Sequence, residues 1–528
     1  MHRLTQVLCL LAPLLVLPPA YASFTLANDH PPQPEAVSAA RDALRAAAKQ
    51  LQDDHVDGAY QQAVTAIEAP GFSGLSGDEK HAAWALAGYA ALTLKKMNEA
   101  RRYLDEATIM PQASAFDWTT RLQRSYATAD YRDSAICVAA IAQRWPQELA
   151  QINSRAILQI ERKLHAQANA VPQAATDADA DAGSDADSGV TDVQLRMLGA
   201  LFDAHWRLEE GQPDFLWMDL ALLRLARGDI DGASAAALRV ESGDNVLSMV
   251  VDRRFDPIVT AHPQSFDVAK AAAAGIALAQ KRVAEDPDSL AKLSELQQRL
   301  LRMRRFDDVL ASSDAVIQRV AQGGEKAYRD ADLHYTWILD GRARALWGLG
   351  RWNASIEQLR AAAQRPEVGG GANVSQAINL GHALALLGQP DAALQAIAKL
   401  GGTSPFGRMQ ANAVRVLAAV LRHDPTTVER TLAEMREHRD DAMSTYEFAL
   451  VQAGRLDDAA QLLRERLADA RWRSDALTDV QIYARVPQPP LAAEYERRWR
   501  SVVARPDVQQ ALNAVGRIAS PVLGPPPW

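Results

Sequence analysis

One spacing governs what this chain can fold into. A small residue opens a helical pattern again and again, at Ala59, Ala100, Ala135, Ala233, Ser355, Ala393 and Ala459. Ala59, Ala100, Ala135 and Ser355 are each followed eleven residues later by a proline, at Pro70, Pro111, Pro146 and Pro366. Proline lacks the backbone N–H and clashes inside a helix, so each of these helices stops at a set length. Several are preceded by related joints, ARGDIDGA, GLGRWNAS, LLGQPDAA and QAGRLDDAA. Before the joint lies another helical pattern: Trp84, Ala87, Gly88 and Ala91 share one side of it, and Ala100, Leu104 and Ala107 share one side of its successor. Small residues at Gly88 and Ala100 let the two helices approach closely. One such pair cannot bury its apolar face alone, so neighbours must stack.

The unit resembles the tetratricopeptide repeat, whose pattern W-x2-L-G-x2-Y…A-x3-F…P describes a helix-turn-helix. Trp84, Gly88, Ala100 and Pro111 stand at its marked positions, the proline one residue early. Trp217 and Leu220, then Gly381 and Leu384, repeat the first-helix pattern. There are departures: Val309 stands where alanine is expected, and Gln123, Gln297 and Glu447 replace the small first-helix residue. The resemblance runs from near Ala36 to near Arg466 and implies about nine or ten helix pairs. The fold class expected is all-α, an α-solenoid of tetratricopeptide-like repeats with a concave inner surface and an N-terminal signal peptide. The expected divisions are a signal peptide over 1–22, repeats over 36–168, a disordered acidic linker over 169–192, the main solenoid over 193–470, and a helical cap with a frayed proline-rich end over 471–528.

The signal peptide is read from Arg3, an apolar stretch from Val7 to Leu17 and Ala20-Tyr21-Ala22, the layout of a secretory leader cleaved after Ala22. The stretch is too short, and too broken by Pro13, Pro18 and Pro19, to span a bilayer. Export places the mature chain in the periplasm or outside the cell. Only Cys137 survives cleavage, so no internal disulfide can form, and its apolar setting SAICVAAIAQRW predicts burial. The formal charge of −8, from 57 basic and 65 acidic side chains, gives no reason to expect nucleic acid. The linker, with Asp177, Asp179 and Asp181 among its aspartates, matches a calcium loop poorly and is read as a tether. In VVDRRFDPIV, Phe255 reads as a packing residue and Pro257 as a break, with Arg253 and Arg254 solvated or capping carbonyls.

No pattern for zinc, phosphate or a nucleophile elbow occurs, so no catalytic, cofactor or metal residue is assigned and the chain is read as non-enzymatic. The resemblance implies that ligands lie along the first helices. Carrying that register over gives a partner-binding groove of Tyr89, Arg124, Trp337, Asp340, Arg344, Trp347 and His382. A lysine–asparagine carboxylate clamp is lacking, since Asp340 stands four before Arg344 and Ile378 four before His382. Of Trp337 and Trp347, at least one, more readily Trp347, is expected to pack between helices. The expected role is a scaffold for a protein or peptide of the cell envelope. The alternatives are binding or guiding an envelope polysaccharide and, less favoured, a cell-wall-modifying enzyme with a helical body.

Overall fold

The structure, a computed structural model, describes residues 35–168, 180–208, 211–366 and 373–525. The expected signal peptide over 1–22 lies outside the described residues. The chain divides into two compact units, the first ending at Trp206 and the second beginning at Arg207. Among the described residues no helix is long and apolar enough to cross a membrane.

The first unit holds α1 (Glu35–Gln52), α2 (Val56–Glu68), α3 (Gly77–Thr93), α4 (Met97–Ile109), α5 (Ala115–Ala127), α6 (Tyr131–Arg144), α7 (Ser154–Ala168) and α8 (Ala180–Asp203). The first six form three helix-turn-helix pairs. Each pair turns on one residue in the left-handed region, Asp54, Lys95 or Ala129, with φ of 60°, 61° and 58°. The spacing residues Ala59, Ala100 and Ala135 are all buried, and α2, α4 and α6 end at Glu68, Ile109 and Arg144, just short of their prolines. At Gly88 a Cβ would stand 2.7 Å from Leu104 Cδ2, which is why the pair can be so close only with glycine there. Serine caps with reciprocal acidic partners start α3 (Ser76 and Glu79) and α5 (Ser114 and Asp117). The same two carboxylates bind the preceding pair's residues: Arg41 Nε donates to Glu79 Oε1 at 2.5 Å, and His81 Nε2 lies 3.0 Å from Asp117 Oδ2. Each cap therefore also fixes how one pair stacks on the next. Cys137 is buried, as its setting predicted.

Two expectations change here. The linker over 169–192 is not a tether throughout, because α8 begins at Ala180 and packs on α6 and α7. Its buried side chains Met197, Leu198 and Leu201 anchor it, and Ala180, Ala182 and Ala186 carry high helix propensity, so the helix runs on into the acidic stretch. Residues 193–206 consequently belong to the first unit and not to the main array.

The second unit holds α9 (Asp214–Ala226), α10 (Ile230–Ala237), α11 (Gly243–Val251), α12 (Asp256–Ala261), α13 (Val268–Glu285), α14 (Leu290–Arg302), α15 (Phe306–Gly323), α16 (Ala331–Gly348), α17 (Trp352–Ala363), α18 (Val374–Leu386), α19 (Pro390–Ala396), α20 (Pro405–Leu421), α21 (Pro425–Glu437), α22 (Met443–Gln452), α23 (Leu456–Ala468), α24 (Arg473–Asp479), α25 (Pro490–Val503) and α26 (Pro506–Val515). Pairs α9/α10, α14/α15, α16/α17, α18/α19, α20/α21 and α22/α23 again turn on one left-handed residue: Gly228, Arg304, Gly350, Gly388, His423 and Gly454. Ala233, Ser355, Ala393, Ala459 and the substituted Val309 are all fully buried. Ser355 adds a bond across its pair, donating to Ala343 O at 2.7 Å.

The tail is not a separate cap. It returns from the last pair to the first helices of the unit and closes the array on itself. Leu477 and Val480 share one core cluster with Leu247 and Val251. Arg517 N donates to Val251 O at 3.0 Å, Gly524 N donates to Arg302 O at 2.6 Å, and Asp252 pairs with Gly516 as an isolated antiparallel bridge. A Cβ at Gly516 would meet Val251 O at 2.7 Å, so this close approach needs glycine. Within VVDRRFDPIV, Phe255 is buried as expected and Arg253 Nε caps Asn513 O at 3.0 Å. Pro257 opens α12 instead of breaking a helix, because its missing N–H is one the first turn leaves unpaired anyway. Of Pro525, Pro526 and Pro527, all read as frayed, Pro525 instead stands where the tail meets the helices, and the other two lie outside the described residues.

Candidate functional site

The expected groove residues fall in both units. In the first, Arg124 is buried and donates to Asp133 Oδ2 at 2.5 Å, with Arg121 Nη2 on Asp133 Oδ1 at 2.6 Å. Its guanidinium ties α5 to α6 inside their own pair, so it is not presented to a partner. Tyr89 is half-buried with its ring 5.6 Å from that of Phe116 on the next first helix.

In the second unit the register carries Trp337, Asp340, Arg344 and Trp347 along one side of α16. Asp340 is buried and joins two pairs, accepting from Arg344 Nε at 2.5 Å and from Asn379 Nδ2 on α18 at 2.8 Å. Trp347 is half-buried, its ring 6.4 Å from that of Trp352, whereas Trp337 remains exposed. His382 stands on α18 with its ring 5.2 Å from that of Phe448 on α22. Burial, with repulsion from Arg344, lowers its pKa to about 4, so the ring is neutral at physiological pH.

The returning tail lies across part of these first helices, while Trp337 on α16 stays exposed. Among the described residues, two cavities lie between helices and tail. The smaller, about 250 Å³, is lined by Arg344 and Trp347, by Phe306 and Phe448, and by Pro487 and Tyr495 of the tail. The larger, about 360 Å³, is lined by Asn379 and His382 of α18, Gln410 of α20, Glu447 and Phe448 of α22, Asp479 at the end of α24, and Tyr483, Tyr495 and Trp499 of the tail. Phe448, Tyr495, Glu496 and Pro525 line both. The Phe448 and Tyr495 rings lie 4.7 Å apart.

Behind the larger cavity sits a buried ion pair, Arg466 and Glu447, extended to Asp479. Arg466 on α23 donates through Nη1 to Glu447 Oε2 and through Nη2 to Asp479 Oδ2, the latter at 2.7 Å. Burial pushes the Glu447 carboxyl up to about 7, outweighing the attraction of Arg466, and holds the Tyr495 phenol well above its usual value. Glu447 was legible only as an oddity, a charge where the repeat wants a small residue. Phe448, Asp479, Tyr483, Tyr495 and Trp499 were not singled out, since nothing in helical periodicity shows that the tail turns back over the first helices.

No family model and no curated protein matches the sequence. The chain is similar to the crystal structure of the P58(IPK) TPR domain, at 15% identity over 81% of this chain and 98% of that one, with a TM-score of 0.20. It is also similar to the crystal structure of yeast Tom70, at 12% identity over 91% of this chain and 100% of that one, with a TM-score of 0.30. The helix pairs themselves, each turning on one left-handed residue and most packed through a buried small residue, give this chain a tetratricopeptide-like helical-repeat fold.

Proposed function

We propose that this chain is a non-enzymatic scaffold, exported and cleaved after Ala22, that holds a protein or peptide of the cell envelope in its second unit. The observation that carries the binding part is the cavity of about 360 Å³ between the first helices and the tail. Its walls mix aromatic rings with a few convergent polar side chains, the composition of sites that seat a guest. Export rests on the leader-like residues from Arg3 to Ala22.

A photo-crosslinking residue at Ser444, exposed on the cavity wall, tests the binding part in living cells. One envelope protein should be trapped from Ser444 and not from Glu68 in the first unit. Trapping of glycan, or equal trapping from both positions, would overturn it. For export, fractionation should yield a mature chain starting at Ser23 in the periplasm or medium; an uncleaved cytoplasmic chain would sink that part.

A further inference from the structure

The wall of the larger cavity is rich in acidic side chains. Glu447, Asp479 and Glu496 line it against a single guanidinium, Arg500. Arg500 is already engaged, donating to Glu496 Oε1 at 2.7 Å and to the carbonyls of Val480 and Gln481 at 3.0 and 2.7 Å. Arg466 is not part of the wall; its charge lies behind Glu447. The Glu447 side chain is 3% exposed, and only its Oε2 receives Arg466, while Oε1 is buried with no hydrogen-bond partner among the described residues. An unpaired buried carboxylate oxygen costs free energy that a donor entering the cavity would recover. Phe448, Tyr483, Tyr495 and Trp499 line the same cavity, and aromatic rings attract a cation through their quadrupoles.

We propose that the larger cavity binds a protonated primary amine, with Glu447 Oε1 accepting from the ammonium and the aromatic side chains that line the cavity, Phe448 and Tyr495 among them, beside it. This rests on the reading of the cavity as the binding site and adds the chemistry of the group that enters it. Three donors on the ammonium suit an acceptor-rich wall, and its compact charge suits an aromatic enclosure. Asp479 and Glu496 are each paired with a guanidinium, so the acceptor left for a guest is Glu447 Oε1, which an ammonium satisfies as a donor and an anion does not. A lysine side chain, a peptide N-terminus and a free alkylamine all offer the same group.

The test is calorimetric titration of the full chain with n-hexylamine, with 1-hexanol as its neutral isostere. Hexylamine should bind at least about tenfold tighter than hexanol, the scale of a charge-assisted bond to a buried carboxylate. Glu447→Gln should abolish that difference. Because this change also touches Arg466, Phe448→Leu provides a second variant that keeps apolar volume; it should weaken hexylamine several-fold and leave hexanol unchanged. The inference is overturned if hexylamine binds no tighter than hexanol, or if both variants bind it as the parent does. Competition by acetyl-Ala-Lys-Ala-amide, by Ala-Ala-Ala-amide with a free α-amine, or by neither assigns the amine to a side chain, a peptide terminus or a small molecule. A partner trapped from Ser444 without hexylamine binding removes this inference alone, whereas equal trapping from Ser444 and Glu68 removes the underlying reading.

Discussion

Arg466 and Glu447 face each other inside the α22/α23 pair with side chains only 1% and 3% exposed, and Arg466 reaches on to Asp479 at the end of α24. One guanidinium therefore joins the last repeat to the returning tail. Breaking a buried pair by removing one partner leaves a charge without compensation. Arg466→Met should accordingly cost about 3–5 kcal/mol in urea unfolding. The double change Arg466→Met with Glu447→Leu should recover much of that, since apolar replacements of similar volume are often neutral. A single variant as stable as the parent would mean that the cluster adds nothing to the closure.

The joints between paired helices make a second set of expectations. Ala129, Arg304 and His423 sit at φ of 58°, 56° and 55°, where a Cβ crowds the following carbonyl. Replacing each by glycine should stabilise its unit by ~0.5–1 kcal/mol, the left-handed strain relieved exceeding the chain entropy that glycine adds. Gly388→Ala should do the reverse by about 1 kcal/mol, and through the backbone alone, because no atom lies within 4 Å of the added Cβ. Thermal melts decide it, and destabilisation by all three glycines would show that these joints are not strained.

Those joints also explain what could be read from the sequence. Where the left-handed residue is glycine, as at Gly228, Gly350, Gly388 and Gly454, the joint was visible and the pair was placed correctly. Where it is Asp54 or Ala129, the same turn is made without its usual residue, and only the buried alanines and the prolines marked the pair; the pair turning at His423 carried neither mark. The packing register survived because a residue such as Ala100 is dictated by its immediate neighbours. The site was harder to see because it is made by distant segments: Tyr495 and Pro525 reach the first helices through bonds such as Gly524 to Arg302, which no local period encodes. Asp340, Arg344, Trp347 and His382 were placed on the inner side by register, yet the register could not show that a tail lies over them.

Trp337 and Trp347 lie on one side of α16 but should respond differently. Trp347 packs against the apolar cluster of α18 to α20 and also lines the smaller cavity, so Trp347→Ala should cost ~2–3 kcal/mol, less than a fully buried ring. Trp337 is 39% exposed, and Trp337→Ala should stay within about 0.5 kcal/mol of the parent. Chemical denaturation of both variants checks the contrast. If the two cost the same, the division between packing and presented tryptophan fails, and loss of the crosslinked partner in the Trp337 variant alone would extend the binding surface beyond the cavities.

His382 and Glu447 should pull stability in opposite directions over nearly one pH range. The folded chain holds His382 neutral down to about 4, below the ordinary 6.5, through burial and the charge of Arg344. Its contribution is complete above pH 6.5 and is lost as pH falls toward 4, since the unfolded chain takes up the proton first. Glu447 keeps its proton up to about 7, above the ordinary 4.5, with Arg466, Asp479 and Tyr495 around it. Its contribution is complete below pH 4.5 and is lost as pH rises through 7. Each shift corresponds to on the order of 3 kcal/mol at its limit, so in the parent the two largely offset. Urea midpoints taken from pH 4.5 to 7.5 should therefore change little through this pair. In His382→Gln the carboxyl acts alone and stability should fall as pH rises; in Glu447→Gln the imidazole acts alone and stability should rise between pH 4.5 and 6.5. Parallel profiles in the two variants would show that these buried groups do not titrate as their surroundings require.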